Sequence, residues 1–125
     1  MASLATLLII TAVALTALLP ATASAAASYR VGDDSGWEIG VDYDAWAAGK
    51  KFKVGDTLEF LYSEAYHNVV VVDAQSYASC AVPSNAPTRA SGDDRVALRR
   101  AGRWFFICGV GGHCDAGMKL AVDVV

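Results

Sequence analysis

The sequence predicts an all-β domain, a Greek-key sandwich or barrel of about seven strands joined by turns and short helical turns. Three observations predict it. From Tyr29 onward the apolar residues fall in short runs, several of them alternating with polar residues, the pattern of strands buried on one face. Turn residues such as Gly32-Asp33-Asp34-Ser35-Gly36, Gly55-Asp56 and Ser91-Gly92-Asp93-Asp94 separate the runs. No run past Ser28 keeps a helical period for the length that a long amphipathic helix needs.

The elements follow in order. Tyr29 to Val31 reads as a first strand that stops at the Gly32–Gly36 turn, with Trp37 next. Asp44 to Gly49 reads as a single helical turn, capped by Asp44 and ended by Gly49. Lys51 to Val54 reads as a short strand. Thr57 to Tyr62 alternates, with Leu58, Phe60 and Tyr62 on one face. Asn68 to Val72 is a continuous apolar run, as in a strand buried on both sides. Ser76 to Cys80 is short, irregular and compatible with a helix, and Pro83 to Thr88 is loop. Arg95 to Arg99 points Val96 and Leu98 inward. Arg103 to Cys108 is an aromatic strand, and Lys119 to Val125 places Leu120, Val122 and Val124 on one face.

The N-terminal part has another character. Leu4 to Leu19 is apolar, Pro20 closes it, and Ala21 to Ala27 are small residues, the form of a secretory signal peptide. The run is shorter than the ~20 apolar residues of a spanning helix. No Lys or Arg precedes it, which is atypical of a signal. Residues 1–26 are therefore read as a signal peptide, cut after Ala25 to Ala27, and residues 27–125 as one domain. A secreted, extracellular protein is expected. The 54% apolar composition is raised by this leader and does not imply a membrane protein. All 13 acidic and 10 basic residues follow the leader, for a net charge of −3. No nucleic-acid partner is expected, because Arg95, Arg99, Arg100 and Arg103 read as a solvated strand edge. The ending Leu120 to Val125 reads as a strand, so no membrane anchor is expected in the mature chain.

Three cysteines are an odd number, so in an oxidising compartment two pair and one is left for other chemistry. Pairings 80–108, 80–114 and 108–114 are all open. If Cys108 is a metal thiolate, 80–114 remains; the plainer alternative is one bridge and an inert buried thiol.

The chemistry concentrates in Cys108-Gly-Val-Gly-Gly-His113-Cys114-Asp-Ala-Gly-Met118, with His67 far upstream at the head of the Asn68 run. One thiolate, two imidazoles and a thioether are the donor set of a blue copper electron-transfer site. Thiolate and thioether suit Cu(I), and imidazole suits both oxidation states. A structural zinc would take a fourth His or Cys more naturally than a Met. The glycines let this loop fold tightly enough for Cys108, His113 and Met118 to converge. His113 and Cys114 are adjacent, so one can face a metal while the other faces away. Asn68 is placed to hydrogen-bond near His67 and fix it. With every coordination position filled by protein, the site suits a carrier of electrons rather than a catalyst.

These residues resemble the phytocyanins, a plant family of blue copper proteins with the cupredoxin fold. The likeness runs through Tyr29–Asp33, Gly36-Trp37, Tyr43, Trp46, Gly49-Lys50, Phe52, Val54–Asp56, Tyr66–Val69, Cys80, Gly92-Asp93, Phe105–Cys108, His113-Cys114 and Gly117–Leu120. It implies His67, Cys108, His113 and Met118 as ligands of one copper ion, cycling between Cu(I) and Cu(II), and a Cys80–Cys114 disulfide. It implies a monomeric carrier of single electrons serving a redox partner, protein or small molecule. Met118 resembles the plantacyanin, or basic blue protein, branch, where stellacyanins carry Gln. Two departures stand out: this chain is acidic, and Gly111 occupies a position where the family commonly has Pro. The resemblance also allows a different class of function, an extracellular recognition or signalling module of cell wall or reproductive tissue in which copper is mainly structural.

Overall fold

A computed structural model describes residues 25–125; the expected signal segment lies outside that span except for Ala25 and Ala26. The chain forms two sheets. The first is built from β1 (Ser28–Arg30), β2 (Thr57–Leu61) and β5 (Asp93–Ala97), in the order β1-β2-β5. The second is built from β3 (Val69–Val72), β4 (Thr88–Arg89), β6 (Gly102–Ile107) and β7 (Lys119–Val124), in the order β4-β3-β6-β7. β1 runs parallel to β2, and the other pairs are antiparallel. Two short helices, α1 (Tyr43–Ala47) and α2 (Ala74–Ser79), lie in the connections.

Alternation decides which side chains meet. Leu58 and Phe60 from β2, Val96 from β5, Phe106 from β6 and Leu120, Val122 and Val124 from β7 all point between the sheets and are buried. Trp37 closes one end of this core, edge-on to Phe60 at 5.1 Å and tilted against Tyr43 at 4.9 Å. A second, smaller cluster lies on the outer face of the second sheet, where Val70, Ile107 and Cys114 pack under Tyr77 of α2 and Cys80.

The structure corrects several boundaries. Lys51 to Val54 is not a strand: Phe52 makes an isolated parallel bridge to Val124, and the chain then turns at Gly55. α1 begins at Tyr43, and its cap is Asp42 rather than Asp44. The Asp42 backbone is extended, so its carboxylate can accept the Ala45 N–H at 3.0 Å. β5 begins at Asp93, inside the expected turn. It can do so because buried Asp94 is satisfied, accepting from the Tyr62 hydroxyl and from the Ser91 hydroxyl at 2.6 Å. Thr88 and Arg89, at the edge of the expected loop, pair with β3. Both are exposed and so carry no hydrophobic signal. In β3, Val69 and Val70 are buried on opposite faces as expected, while Val71 and Val72 are half-buried. The arginine cluster is a solvated edge: Arg103 lies 3.6 Å from Asp123, and Arg100 stacks over Trp104. Among the described residues no helix is long and apolar enough to cross a membrane.

Candidate metal centre

Strand parity delivers the first two donors. Trp104 and Phe106 of β6 face the core, so Cys108, two residues on, faces it as well and is buried. Val71 and Val69 of β3 face the core, and His67 continues that parity, 5% exposed. The register pairs Val70 with Ile107. Continued by one residue it sets Val69 opposite Cys108, which leaves His67 a diagonal neighbour of the thiol.

Asn68 ties the two strand ends together. Its Oδ1 accepts the Gly109 N–H at 2.6 Å, and its C=O accepts the Trp37 indole N–H at 2.9 Å. The expected role of Asn68 is thus placed differently: it holds Gly109, next to Cys108, rather than the His67 ring. A side chain at 109 would not fit, since its Cβ would stand 2.8 Å from Val70 Cγ2.

The loop after Cys108 is closed by its own backbone. The Cys108 N–H donates to the Met118 C=O at 3.0 Å, and the Met118 N–H donates to the His113 C=O at 3.0 Å. The three expected ligands of this loop are therefore fixed to each other independently of any metal. Cys114 turns away from His113, as adjacency predicts, and is bonded to Cys80, with 5.6 Å between their Cα atoms. Cys108 is the free thiol, which resolves the three open pairings.

The donors converge. His67 Nδ1 and His113 Nδ1 are 3.1 Å apart, and Cys108 Sγ lies 3.5 Å from His113 Nδ1 and 3.9 Å from His67 Nδ1. His67, Cys108 and His113 form a group whose donor atoms all lie within 4.8 Å of one another. Met118 is fully buried in the same core cluster as Cys108. A buried thiol facing two imidazole nitrogens fits copper, which takes both ligand types in either oxidation state.

Sequence reasoning missed Glu38. Its Oε1 lies 2.8 Å from His67 Nε2, on the side of the ring away from Cys108. The Ile39 N–H, donating at 2.9 Å, holds its carboxyl below the ordinary value, and the His67 contact adds to that against a partial desolvation. Trp37 and Tyr43 place it: the Trp37 N–H donates to the Leu61 C=O at 2.8 Å, and the Glu38 N–H donates to the Tyr43 hydroxyl at 2.8 Å. Burial and nearby Glu38 push the Tyr43 phenol up to about 12, against the pull of the Glu38 backbone bond. The Tyr43 hydroxyl therefore keeps its proton, which it donates to the Gly36 C=O at 2.7 Å. Glu38 follows Trp37 in a turn, and nothing local marks its approach to a histidine 29 residues away.

The two histidines differ in access. His67 is buried beneath Glu38, whereas His113 is half-buried. Ile39, next to Glu38, Tyr66, next to His67, and Val110, in the loop between Cys108 and His113, are exposed apolar side chains.

Comparison with known proteins agrees with this geometry. Residues 37–118 match the family model of the plastocyanin-like domain. The chain is 49% identical over 94 residues to chemocyanin of Lilium longiflorum, covering 75% of this chain and 72% of that protein. Cucumber basic protein, a blue copper protein, superposes with a TM-score of 0.73 at 40% identity, covering 78% of this chain and 99% of that one. Spinach plantacyanin superposes with a TM-score of 0.64 at 46% identity, covering 72% and 94%. The chain spans about half the length of other curated relatives, matching 40% of a blue copper protein from Petunia hybrida and 53% of one from Pisum sativum.

Proposed function

The chain belongs to the plastocyanin-like family of blue copper proteins, with the phytocyanins as its relatives, and on that premise we propose that it is a secreted carrier of single electrons. The observation that carries the reading is the convergence of Cys108 Sγ with His67 Nδ1 and His113 Nδ1, joined through the backbone to buried Met118. In this reading copper supplies the one-electron couple, with those three donors and the Met118 thioether as its ligands.

What the chain contributes is a rigid, dry socket. Core packing buries Cys108 and Met118 and keeps water from the thiolate side. The hydrogen bonds among Cys108, His113 and Met118, the Asn68–Gly109 tie and the Cys80–Cys114 bond hold the donors in place before metal arrives. A socket that does not rearrange between oxidation states favours fast outer-sphere transfer. Half-buried His113 is the exit for the electron, because His67 is covered by Glu38 and protein. Exposed Val110, whose C=O accepts the His113 N–H, and exposed Tyr66, against His67, supply apolar surface for a redox partner. The carrier acts as a monomer in the extracellular space.

The test is to add Cu(II) to the mature protein and record visible absorption and electron paramagnetic resonance. An intense thiolate-to-copper band with narrow copper hyperfine splitting is expected, and Cys108→Ser should abolish the band while leaving the circular dichroism unchanged. A folded, disulfide-bonded wild type that stays colourless with Cu(II) would overturn the proposal.

A further inference from the structure

The metal ligands account for one nitrogen of His67 and leave the other to be explained. Nδ1 faces Cys108 and His113, and Nε2 faces the Glu38 carboxylate at 2.8 Å. The acidic partner is not a chance surface contact. Its backbone is held on both sides, by the Trp37 N–H on Leu61 and by the Glu38 N–H on Tyr43. Its Oε1 is fixed by a second donor, the Ile39 N–H. Trp37 also reaches the His67 side of the site directly, through its indole bond to the Asn68 C=O. One buried anchor therefore positions both Glu38 and the segment that carries His67 into β3.

We propose that Glu38 is a positioning residue for the metal centre, its carboxylate holding the proton of His67 on Nε2 so that Nδ1 is free for the metal, and placing a negative charge one imidazole ring from the ion. This rests on the copper reading above for the redox part, but not for the tautomer. A neutral imidazole has one N–H, and an anionic acceptor at Nε2 draws it there. The ring is then oriented, and its Nδ1 lone pair is the more basic for the bond at Nε2. The carboxylate charge favours the more highly charged oxidation state of a bound ion, so it lowers the reduction potential. Glu38 is half-exposed, with 52% of its side chain accessible, so replacing it does not cut into the core.

Two substitutions separate the roles. Glu38→Gln keeps an oxygen acceptor for His67 Nε2–H and removes the charge, and Glu38→Ala removes both. With copper bound, Glu38→Gln is expected to shift the Cu(II)-to-Cu(I) affinity ratio about tenfold toward Cu(I), a rise in potential of about 59 mV for one electron. The hyperfine splitting should stay the same. Independently of redox, Zn(II) titration of the reduced, metal-free protein should show about 10-fold weaker binding for Glu38→Ala. Nitrogen-15 spectra of the metal-free wild type should show His67 protonated at Nε2, with slow exchange that Glu38→Ala abolishes. Wild-type potential in Glu38→Gln, together with wild-type Zn(II) affinity and unchanged His67 exchange in Glu38→Ala, would overturn the proposal. A wild type that fails to bind copper but shows the protected Nε2 proton would sink the electron-carrier reading and leave this one standing.

Discussion

At the scale of single residues, buried polar groups are stabilising where the backbone satisfies them. Asp56 is fully buried and accepts the Ala27 N–H and the Lys53 N–H, each at 2.8 Å. Burial alone would raise its carboxyl. The two bonds and the Lys53 charge outweigh that and hold it below the ordinary value of 3.8. Because the folded-state value lies below the unfolded one, the carboxylate stabilises the fold above about pH 4. That contribution fades as pH falls from there through the depressed value. Asp56→Asn turns one acceptor into a donor facing an N–H, so it should cost about 1–3 kcal/mol at neutral pH. Denaturant melts at neutral pH and at pH 3 should show a smaller gap between variant and wild type in acid; a constant gap would show that the charge is not what matters. At this scale the metal ligands were legible, because their residue types and spacing point to one chemistry. Glu38 was not, because its role depends on a contact across 29 residues.

At the scale of elements, the ligand loop sets two adjacent glycines in opposite circumstances. Gly112 has φ +81°, where an L-residue is strained, whereas Gly111 lies outside that region and a Cβ there would meet nothing within 4 Å. Gly111→Ala should therefore stabilise by about 0.4–1 kcal/mol, by restricting the unfolded chain. Gly112→Ala should destabilise by about 1–2 kcal/mol. Thermal melts of both metal-free variants check this, and equal shifts would mean that the loop does not hold this conformation. A flexible residue is tolerated at 111 because the backbone bonds from Cys108 to Met118 and from Met118 to His113 already close the loop. Strands with alternating apolar residues, β2 and β7 above all, could be read from the sequence. β4 and the start of β5 could not, since exposed Thr88 and Arg89 and the buried Asp94 carry no apolar pattern. The cap of α1 is not decided by sequence, because Asp42 and Asp44 are chemically equal and only the extended backbone at 42 distinguishes them.

At the scale of the whole molecule, a small domain depends on covalent help. The Cys80–Cys114 bond closes a loop of 34 residues and joins the end of α2 to the ligand loop across the outer cluster of Val70 and Ile107. Chain entropy puts its contribution at about 3–4 kcal/mol. The Cys80→Ala, Cys114→Ala double variant should lose about that much stability in denaturant melts. It should also bind metal more weakly, as the loop around His113 gains freedom. Loss of stability with unaltered metal affinity would show that the hydrogen bonds suffice to hold the loop.

The sequence by itself determined the all-β class, the residues able to bind a soft redox metal and their division between a C-terminal loop and one distant histidine. These follow from local chemistry and from periodicity, which a linear chain displays. The tertiary structure decided which cysteines pair, that Asn68 bonds Gly109, that His67 lies buried under Glu38 and that His113 is the more open edge. Those depend on how two sheets register and on which strand ends meet, and such long-range pairings leave no mark on any one stretch of chain.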